Sequence, residues 1–370
     1  MRIVEFSNLQ ELAPYAVPWD HLAAGVPFRT WAWMSSWWRH YGHEASSPCG
    51  GRLLVLGVLD PSDRLVGLAP WHLQRRRSQG AVLRWLGTGE VCSDYLSLLC
   101  EPAVEDCVAE ALADYLLGRR ENGQRGPRWD LLEIEGVDAE DGAVTQLVRH
   151  LTERGCLVHN RSSVNCWRIA LPGTWEEYLA MLSRNHRRQM RHAERTMFDS
   201  GRAVLHTVQC RDELPQAISL LVDLHQRRRQ MLGQPGCFAS KRFAAFHQEV
   251  MPMLLANGQL RLHWLQLDGR PAAAQYTLSG DGILYVYQAG VDPEMLCHQP
   301  GRLINQQMVR RAIEQGYRGI DFLRGDEPYK SHLRALRRPS LALRIIPNRP
   351  VARLREKLWL AGRSVKRWVM

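Results

Sequence analysis

Apolar and polar positions run through the chain in two rounds, and each round predicts nearly the same order of elements. The first opens with a short strand near Ile3 to Phe6 and a helix over Thr30 to Tyr41, whose Trp31, Trp33, Trp37 and Trp38 cannot all share one face. Apolar runs of strand length follow at Leu53 to Leu59, Leu65 to Leu73, Val82 to Leu86 and Tyr95 to Leu99. A helix over Val104 to Leu117, a strand at Trp129 to Glu135, a helix near Ala143 to Arg154 and a strand at Val164 to Leu171 complete it.

A helical bridge, Trp175 to Ser200, leads into the second round. It predicts a strand at Ala203 to Gln209, helices at Leu214 to Met231 and Lys241 to Ala256, and strands at Leu260 to Leu267, Pro271 to Ser279 and Ile283 to Val291. Gly258, Asp268-Gly269 and Gly280-Asp281-Gly282 mark the tight turns of this meander. A helix at Leu303 to Gln315, a strand at Gly319 to Phe322, a short helix around Tyr329 to Ala335 and a strand at Leu341 to Ile346 close the round. The expected fold is therefore α/β (α+β), with two mixed, mostly antiparallel sheets flanked by helices. Its expected divisions are 1–172, a bridge over 173–201, 202–347 and a basic amphipathic helix over 348–370.

A length of 370 residues exceeds what one core usually supports, which agrees with two domains. The nine cysteines contain no CxxC pair and no His cluster at zinc spacing, so neither a disulfide frame nor a metal is expected. No apolar run exceeds strand length, and the expected location is the cytoplasm. The net charge of +10 points to an anionic partner: a nucleotide cofactor, RNA or an anionic membrane surface. Only four of the 48 basic residues are lysines: Lys241, Lys330, Lys357 and Lys366.

The densest candidate chemistry lies in Asp321 to Lys330, where a strand ends in a Gly-containing charged turn. Asp321, Arg324, Asp326, Glu327 and Lys330 offer a base, an anion clamp or an oxyanion donor, and equally a solvated turn that caps the next helix. His225, just before Arg227, Arg228 and Arg229, is a candidate base or a packed helical residue. Tyr285 and Tyr287 share a strand face, to line a site or fill a core.

Arg184, Arg188, Arg191 and Arg195 line one helix face, which is either a solvated face or a contact for a phosphate-bearing acceptor, tRNA or a lipid-linked sugar, with Arg188 the candidate for that contact. In the tail, Val351, Leu354, Leu358, Val365 and Val369 lie near one face of a basic helix that suits an anionic lipid surface, a partner or the protein's own core. His263 to Asp268 spells HxxxxD, but a strand would hold the two residues roughly 16 Å apart. No GxSxG elbow, Cys/His signature or phosphate loop of the GxxxxGK type is present.

Trp175-Glu176-Glu177-Tyr178, Asn185-His186-Arg187-Arg188, Leu224-His225, Phe238, the strands from Gly258 to Thr277, Pro300-Gly301-Arg302 and above all Asp321 to Lys330 resemble the CelD/BcsL-type acetyltransferases. These belong to the GNAT superfamily and are related to the Fem aminoacyl transferases. The resemblance covers about residues 165 to 345 and is weaker over the first half. It implies two tandem GNAT-like domains and an acyltransferase of cell-envelope or exopolysaccharide synthesis. Acetyl-CoA or another acyl-CoA would be the donor, and an amine of a sugar or amino acid the acceptor. It also implies that Gln299, Pro300, Gly301 and Arg302 hold the donor's pyrophosphate at a helix start. The family loop has Gln or Arg, two residues, Gly, one residue, then Gly or Ala; here His298 precedes Gly301 and Leu303 takes the last place. Tyr329-Lys330 is similar to the aromatic-lysine pair near the acceptor site of Fem transferases. An aminoacyl-tRNA donor and a non-catalytic scaffold with a membrane or complex contact through 350–370 are the rival expectations.

Overall fold

The computed structural model describes residues 1–42, 51–118 and 126–368, with side chains described as far as residue 361. Of the tail's expected apolar stripe, Val365 and Val369 therefore lie outside the described side chains. The chain forms two compact units, Met1–Ser163 with Pro339–Met370, and Val164–Arg338.

In chain order the first unit contains β1 (Arg2–Phe6), α1 (Leu9–Leu12), α2 (Ala16–Leu22), α3 (Trp31–Trp37), β2 (Arg52–Leu59), β3 (Leu65–Arg76), β4 (Gly80–Trp85), β5 (Leu99–Cys100), α4 (Glu105–Leu117), β6 (Leu131–Asp138), α5 (Gly142–Glu153) and β7 (Leu157–Asn160). The second unit contains β8 (Cys166–Ala170), α6 (Trp175–Met181), α7 (Arg184–Ala193), β9 (Ala203–Thr207), α8 (Leu214–Met231), α9 (Lys241–Ala256), β10 (Leu260–Leu267), β11 (Arg270–Gly280), β12 (Ile283–Val291), α10 (Pro300–Glu314), β13 (Gly319–Arg324), α11 (Pro328–His332) and β14 (Leu336–Arg338). The chain then returns to the first unit with β15 (Ser340–Ile346) and α12 (Pro350–Trp368).

Each unit is one mixed sheet flanked by helices. The first has the order β1-β2-β3-β4-β6-β15-β7, with β5 paired to β3; the second has the order β14-β8-β13-β12-β11-β10-β9. Strands β8 and β15 are exchanged between the rounds of sequence. β8, expected to close the first sheet, pairs with β13 of the second, and β15, expected in the second sheet, pairs with β6 and β7 of the first. The units accordingly part at 163/164 and 338/339, whereas the sequence pattern places its divisions after 172 and 347.

Local chemistry sets several boundaries. The expected bridge helix is two helices. Ser183 caps α7 through a bond from the His186 amide, and Leu182, at ψ 157, breaks the path from α6. α6 has a full capping box between Thr174 and Glu177. The strand expected at Tyr95 to Leu99 reduces to Leu99–Cys100, because Cys92 and Tyr95 adopt left-handed backbone that no strand accommodates. Trp33, Trp37 and Trp38 are all buried, α3 giving way after Trp37 to a wider π turn over Trp38–Gly42 that redirects the last of them inward.

The second unit contains the more informative irregularities. β12 and β13 run parallel, yet pair only at Ile283 with Gly319, Leu284 with Ile320, and Tyr285 with Asp321. Tyr276 faces Gln288 while Thr277 faces Val286, so Tyr287 is an extra residue that bulges β12 just past its last pair with β13. β13 also has an extra residue against β8 between Asp321 and Arg324, and Leu323 has φ 54°. Two strands that bulge after three shared positions must part, and the wedge between them opens toward their carboxyl ends.

Candidate functional site

A cavity of about 560 Å³ occupies the second unit beside this wedge. β12 contributes Val286, Ala289, Gly290 and Val291, the start of α10 contributes Gly301, Arg302, Ile304 and Asn305, and α11 contributes Tyr329 and His332. His186, Gln189 and Met190 of α7, Gln275 of β11 and Arg228 of α8 complete most of the lining. The walls are largely apolar and every charged side chain among the lining residues is basic.

The entrance to α10 is shaped by Gln299, which takes left-handed backbone at φ 53° so that Pro300 can occupy the first helical position. Its carbonyl accepts the Arg302 and Leu303 amides at 2.9 and 3.2 Å. The Gly301 amide lies too early in the helix for an acceptor of its own turn. On the other side of Arg302 lies a second cavity of about 620 Å³ that also has Arg188, His192, Arg195, His298 and Gln299 on its walls. The two cavities share Gln189 and Arg302. The arginine stripe of the sequence is thus divided: Arg188 and Arg195 line this cavity, while Arg191 pairs with Glu176 at 2.8 Å.

The charged segment Asp321 to Lys330 has a different use. Asp321 is fully buried; its carboxylate accepts the Leu323 amide at 2.7 Å and Arg168 Nε at 2.8 Å. Lys330 is 2% exposed, and its ammonium donates to the carbonyls of Leu323, Arg324 and Gly325 at 3.2, 3.1 and 2.9 Å and pairs with Glu327 at 2.8 Å. Both side chains bind the backbone of the strand end that forms one edge of the wedge. Asp326 accepts from Trp167 Nε1 at 2.9 Å, the bond that chiefly holds its carboxyl below the usual range. Of this segment only Tyr329 lines the cavity, set edge-on against Phe322.

The remaining expected residues divide in the same way. Gly301 and Arg302 line the first cavity, Gln299 and Arg188 the second, and Pro300 is buried. His225 is buried on α8 with Nδ1 3.1 Å from Gln226 Oε1 and its ring edge-on to Phe238; burial lowers its pKa. The backbone at His225 lies against Gly290, where a Cβ would fall 2.4 Å from the His225 nitrogen. Tyr285 is buried beside Asp321 in the ladder, and Tyr287 packs among His247 and Tyr276. His263 sits mid-strand, bonded to Thr207, while Asp268 pairs with Arg202, so the HxxxxD spelling has no chemical meaning here. Among the described residues, no cluster of His, Cys, Asp or Glu is arranged to hold a metal.

Three polar groups in the cavity escaped the sequence reading. His186 and His332 stand with ring centroids 5.1 Å apart. Partial burial, His332, Arg302 and Arg334 together lower the His186 pKa. Gln275 is 2% exposed and donates from Nε2 to Asn305 Oδ1 at 2.5 Å, while its own Oε1 has no hydrogen-bond partner. A buried amide left half-satisfied beside a cavity fits a ligand that supplies the missing polar partner. The sequence presented His186 within Asn185-His186-Arg187-Arg188 and Gln275 within the strands from Gly258 to Thr277 as parts of the resemblance, with no chemistry of their own to single them out.

The first unit repeats the wedge but fills it. β4 and β6 run parallel and pair at Val82 with Leu131, Leu83 with Leu132, and Arg84 with Glu133. The segment after β4 folds back through buried Leu86, Ser93, Asp94 and Leu96, and the Leu96 amide bonds the Gly136 carbonyl beyond the paired part of β6 at 2.8 Å. α4, the helix between these strands, begins with Glu105 and Asp106, which disfavour an anion there.

Residues 184–331 match the family model described as "Acetyltransferase (GNAT) domain". FemX is similar in fold over 96% of this chain and 99% of its own, with 11% identity and a TM-score of 0.64. A conserved protein of unknown function from Bacteroides thetaiotaomicron VPI-5482 matches over 93% of this chain and all of its own, with 12% identity and a TM-score of 0.51. A tandem GNAT protein from the clavulanic acid biosynthesis pathway aligns over 94% and 99% at 14% identity and a TM-score of 0.42. No curated protein matches the sequence. Both units are mixed α/β with a fold similar to that of FemX, and the GNAT-domain match lies within the second unit.

Proposed function

We propose that the second unit is an acyltransferase whose donor is an acyl-CoA and whose acceptor is a primary amine. The observation that carries this reading is the parted β12–β13 pair with an apolar cavity beside it and the basic start of α10 at its edge. A thioester arm is long, mostly apolar and amide-bearing, which suits walls of Ala274, Val286, Ala289 and Val291 with one hungry amide at Gln275. Its phosphates would meet the Gly301 amide and Arg302, and the neighbouring basic walls formed by Arg188, Arg195 and His298.

In the reaction, the amine nitrogen bonds to the thioester carbonyl carbon, the C–S bond breaks, and the thiolate leaves with a proton. Alignment supplies much of the acceleration, and no covalent enzyme intermediate is required. We assign the amine's proton to His186, which lines the cavity and whose lowered pKa keeps it neutral and receptive near pH 7. Asp321 and Lys330 act as positioning residues by holding the strand end at the wedge.

By its resemblance to CelD/BcsL-type enzymes, the acceptor we propose is an amino sugar or amino acid of exopolysaccharide or envelope synthesis. A second reading, an aminoacyl-tRNA donor as in Fem transferases, is favoured by the basic cavity around Arg188, His192, Arg195 and His298, which equally suits a nucleic-acid phosphate. A thermal-shift panel of CoA, acetyl-CoA and longer acyl-CoAs against tRNA separates the two. Stabilisation by CoA esters supports the first reading; salt-sensitive stabilisation by tRNA alone would replace it with the second.

A further inference from the structure

The terminal helix α12 is mounted with its amphipathic pattern reversed. Its sole acid, Glu356, faces inward and is 5% exposed, held by Arg344 through Nε at 2.9 Å and Nη2 at 2.5 Å. Arg344 also bonds Glu133 at 3.2 Å and lies 3.8 Å above the Trp359 ring. Ala352 packs with Val82, Leu131 and Ile346, and Arg355 reaches Asp130 at 2.6 Å. The inner face is thus secured to the first unit's own sheet. The outward face presents Val351, Leu354 and Leu358, which are 50%, 58% and 65% exposed.

A helix that buries its acid and exposes its leucines has an outer face suited to something other than water. Charge identifies the occupant. Exposed Lys357 lies on the same helix, whose sequence continues with Arg363, Lys366 and Arg367. The β3–β4 hairpin carries exposed Arg75 and Arg77 and meets α12 at Gly80, where a Cβ would fall 2.1 Å from Arg355 Nη1. With Glu356 neutralised by Arg344, this surface has a single sign. A second copy of the chain placed on it across a two-fold axis would set cations against cations. A nucleic acid would satisfy the cations and leave the leucines in water.

We propose that α12 and the adjoining hairpin form a docking surface for an anionic lipid bilayer, with Val351, Leu354 and Leu358 entering the interface and the lysine and arginines meeting lipid phosphates. The helix lies on the membrane without crossing it; no helix among the described residues is long and apolar enough to span one. This surface belongs to the first unit and does not depend on the acyltransferase reading.

The test is co-sedimentation of the full chain with phosphatidylcholine vesicles and with vesicles in which roughly a third of the lipid is phosphatidylglycerol, at low and high salt. The chain should sediment with the anionic vesicles, stay in solution with the neutral ones, and release as salt rises. The L354E/L358E double variant should bind at least about tenfold more weakly with an unchanged melting temperature, because both side chains are exposed. Absence of sedimentation, or equal sedimentation by the double variant, would overturn the proposal. So would a wild-type dimer in light scattering that L354E/L358E converts to monomer, since the second copy would then be the occupant.

Discussion

Lys330 places its ammonium 2.9 Å from the Gly325 carbonyl, at the centre of a group of three backbone oxygens. The turn from Leu323 to Gly325 includes φ values of 54° and 118°, so its carbonyls converge as no regular strand end would allow. The lysine is what makes that convergence tolerable, and the wedge edge depends on it.

Lys330→Met should therefore destabilise the protein by about 3 kcal/mol, because buried carbonyls lose a charged donor and gain nothing. Urea unfolding measures this. Donor affinity should fall along with stability, whereas a lysine acting only in chemistry would leave the unfolding midpoint unchanged.

Gln275→Leu should leave stability nearly unchanged. The change removes a buried carbonyl that has no partner but also the Nε2 donor to Asn305 Oδ1, so the two effects oppose and the free protein should stay within about 1 kcal/mol while KM for the donor rises. A lower melting temperature without a KM effect would show that Gln275 serves packing alone.

The pH profile tests His186. Its pKa lies below the ordinary 6.5, so the base is deprotonated above that lowered value and protonated beneath it. The acid limb of kcat/KM should consequently fall below pH 6.5, and His186→Gln should remove it. An acid limb unmoved in the variant would assign the proton to another group.

Arg344→Met examines the first unit. The change leaves Glu133 and Glu356 buried together without their shared cation, although Arg84 still pairs with Glu133 at 3.0 Å. A loss of roughly 3–5 kcal/mol is expected, read by denaturant titration.

Much of the second unit was legible residue by residue. The expected bounds of α8, α9, β10 and β12 coincide with the observed ones, because apolar runs there are punctuated by Gly258, Asp268-Gly269 and Asp281-Gly282. The exchange of β8 and β15 was not legible: an apolar pattern specifies that a strand is buried but not which sheet receives it. The charged run Asp321 to Lys330 drew the reading toward catalysis, yet its spelling could not distinguish side chains open to a ligand from side chains buried against backbone. His186 was hidden for the converse reason, since a histidine among arginines resembles a solvated helix face until α10 and α11 are brought beside it.

Isothermal titration of the full chain with acetyl-CoA tests the central claim most directly. A single site per chain is expected, because the first unit's wedge is filled by its own residues 86–98, and Arg302→Glu should weaken binding at least about tenfold by setting a carboxylate against the donor's phosphates. Two sites per chain, undiminished binding by the Arg302 variant, or no heat with any CoA ester would contradict the placement of the donor beside the β12–β13 wedge.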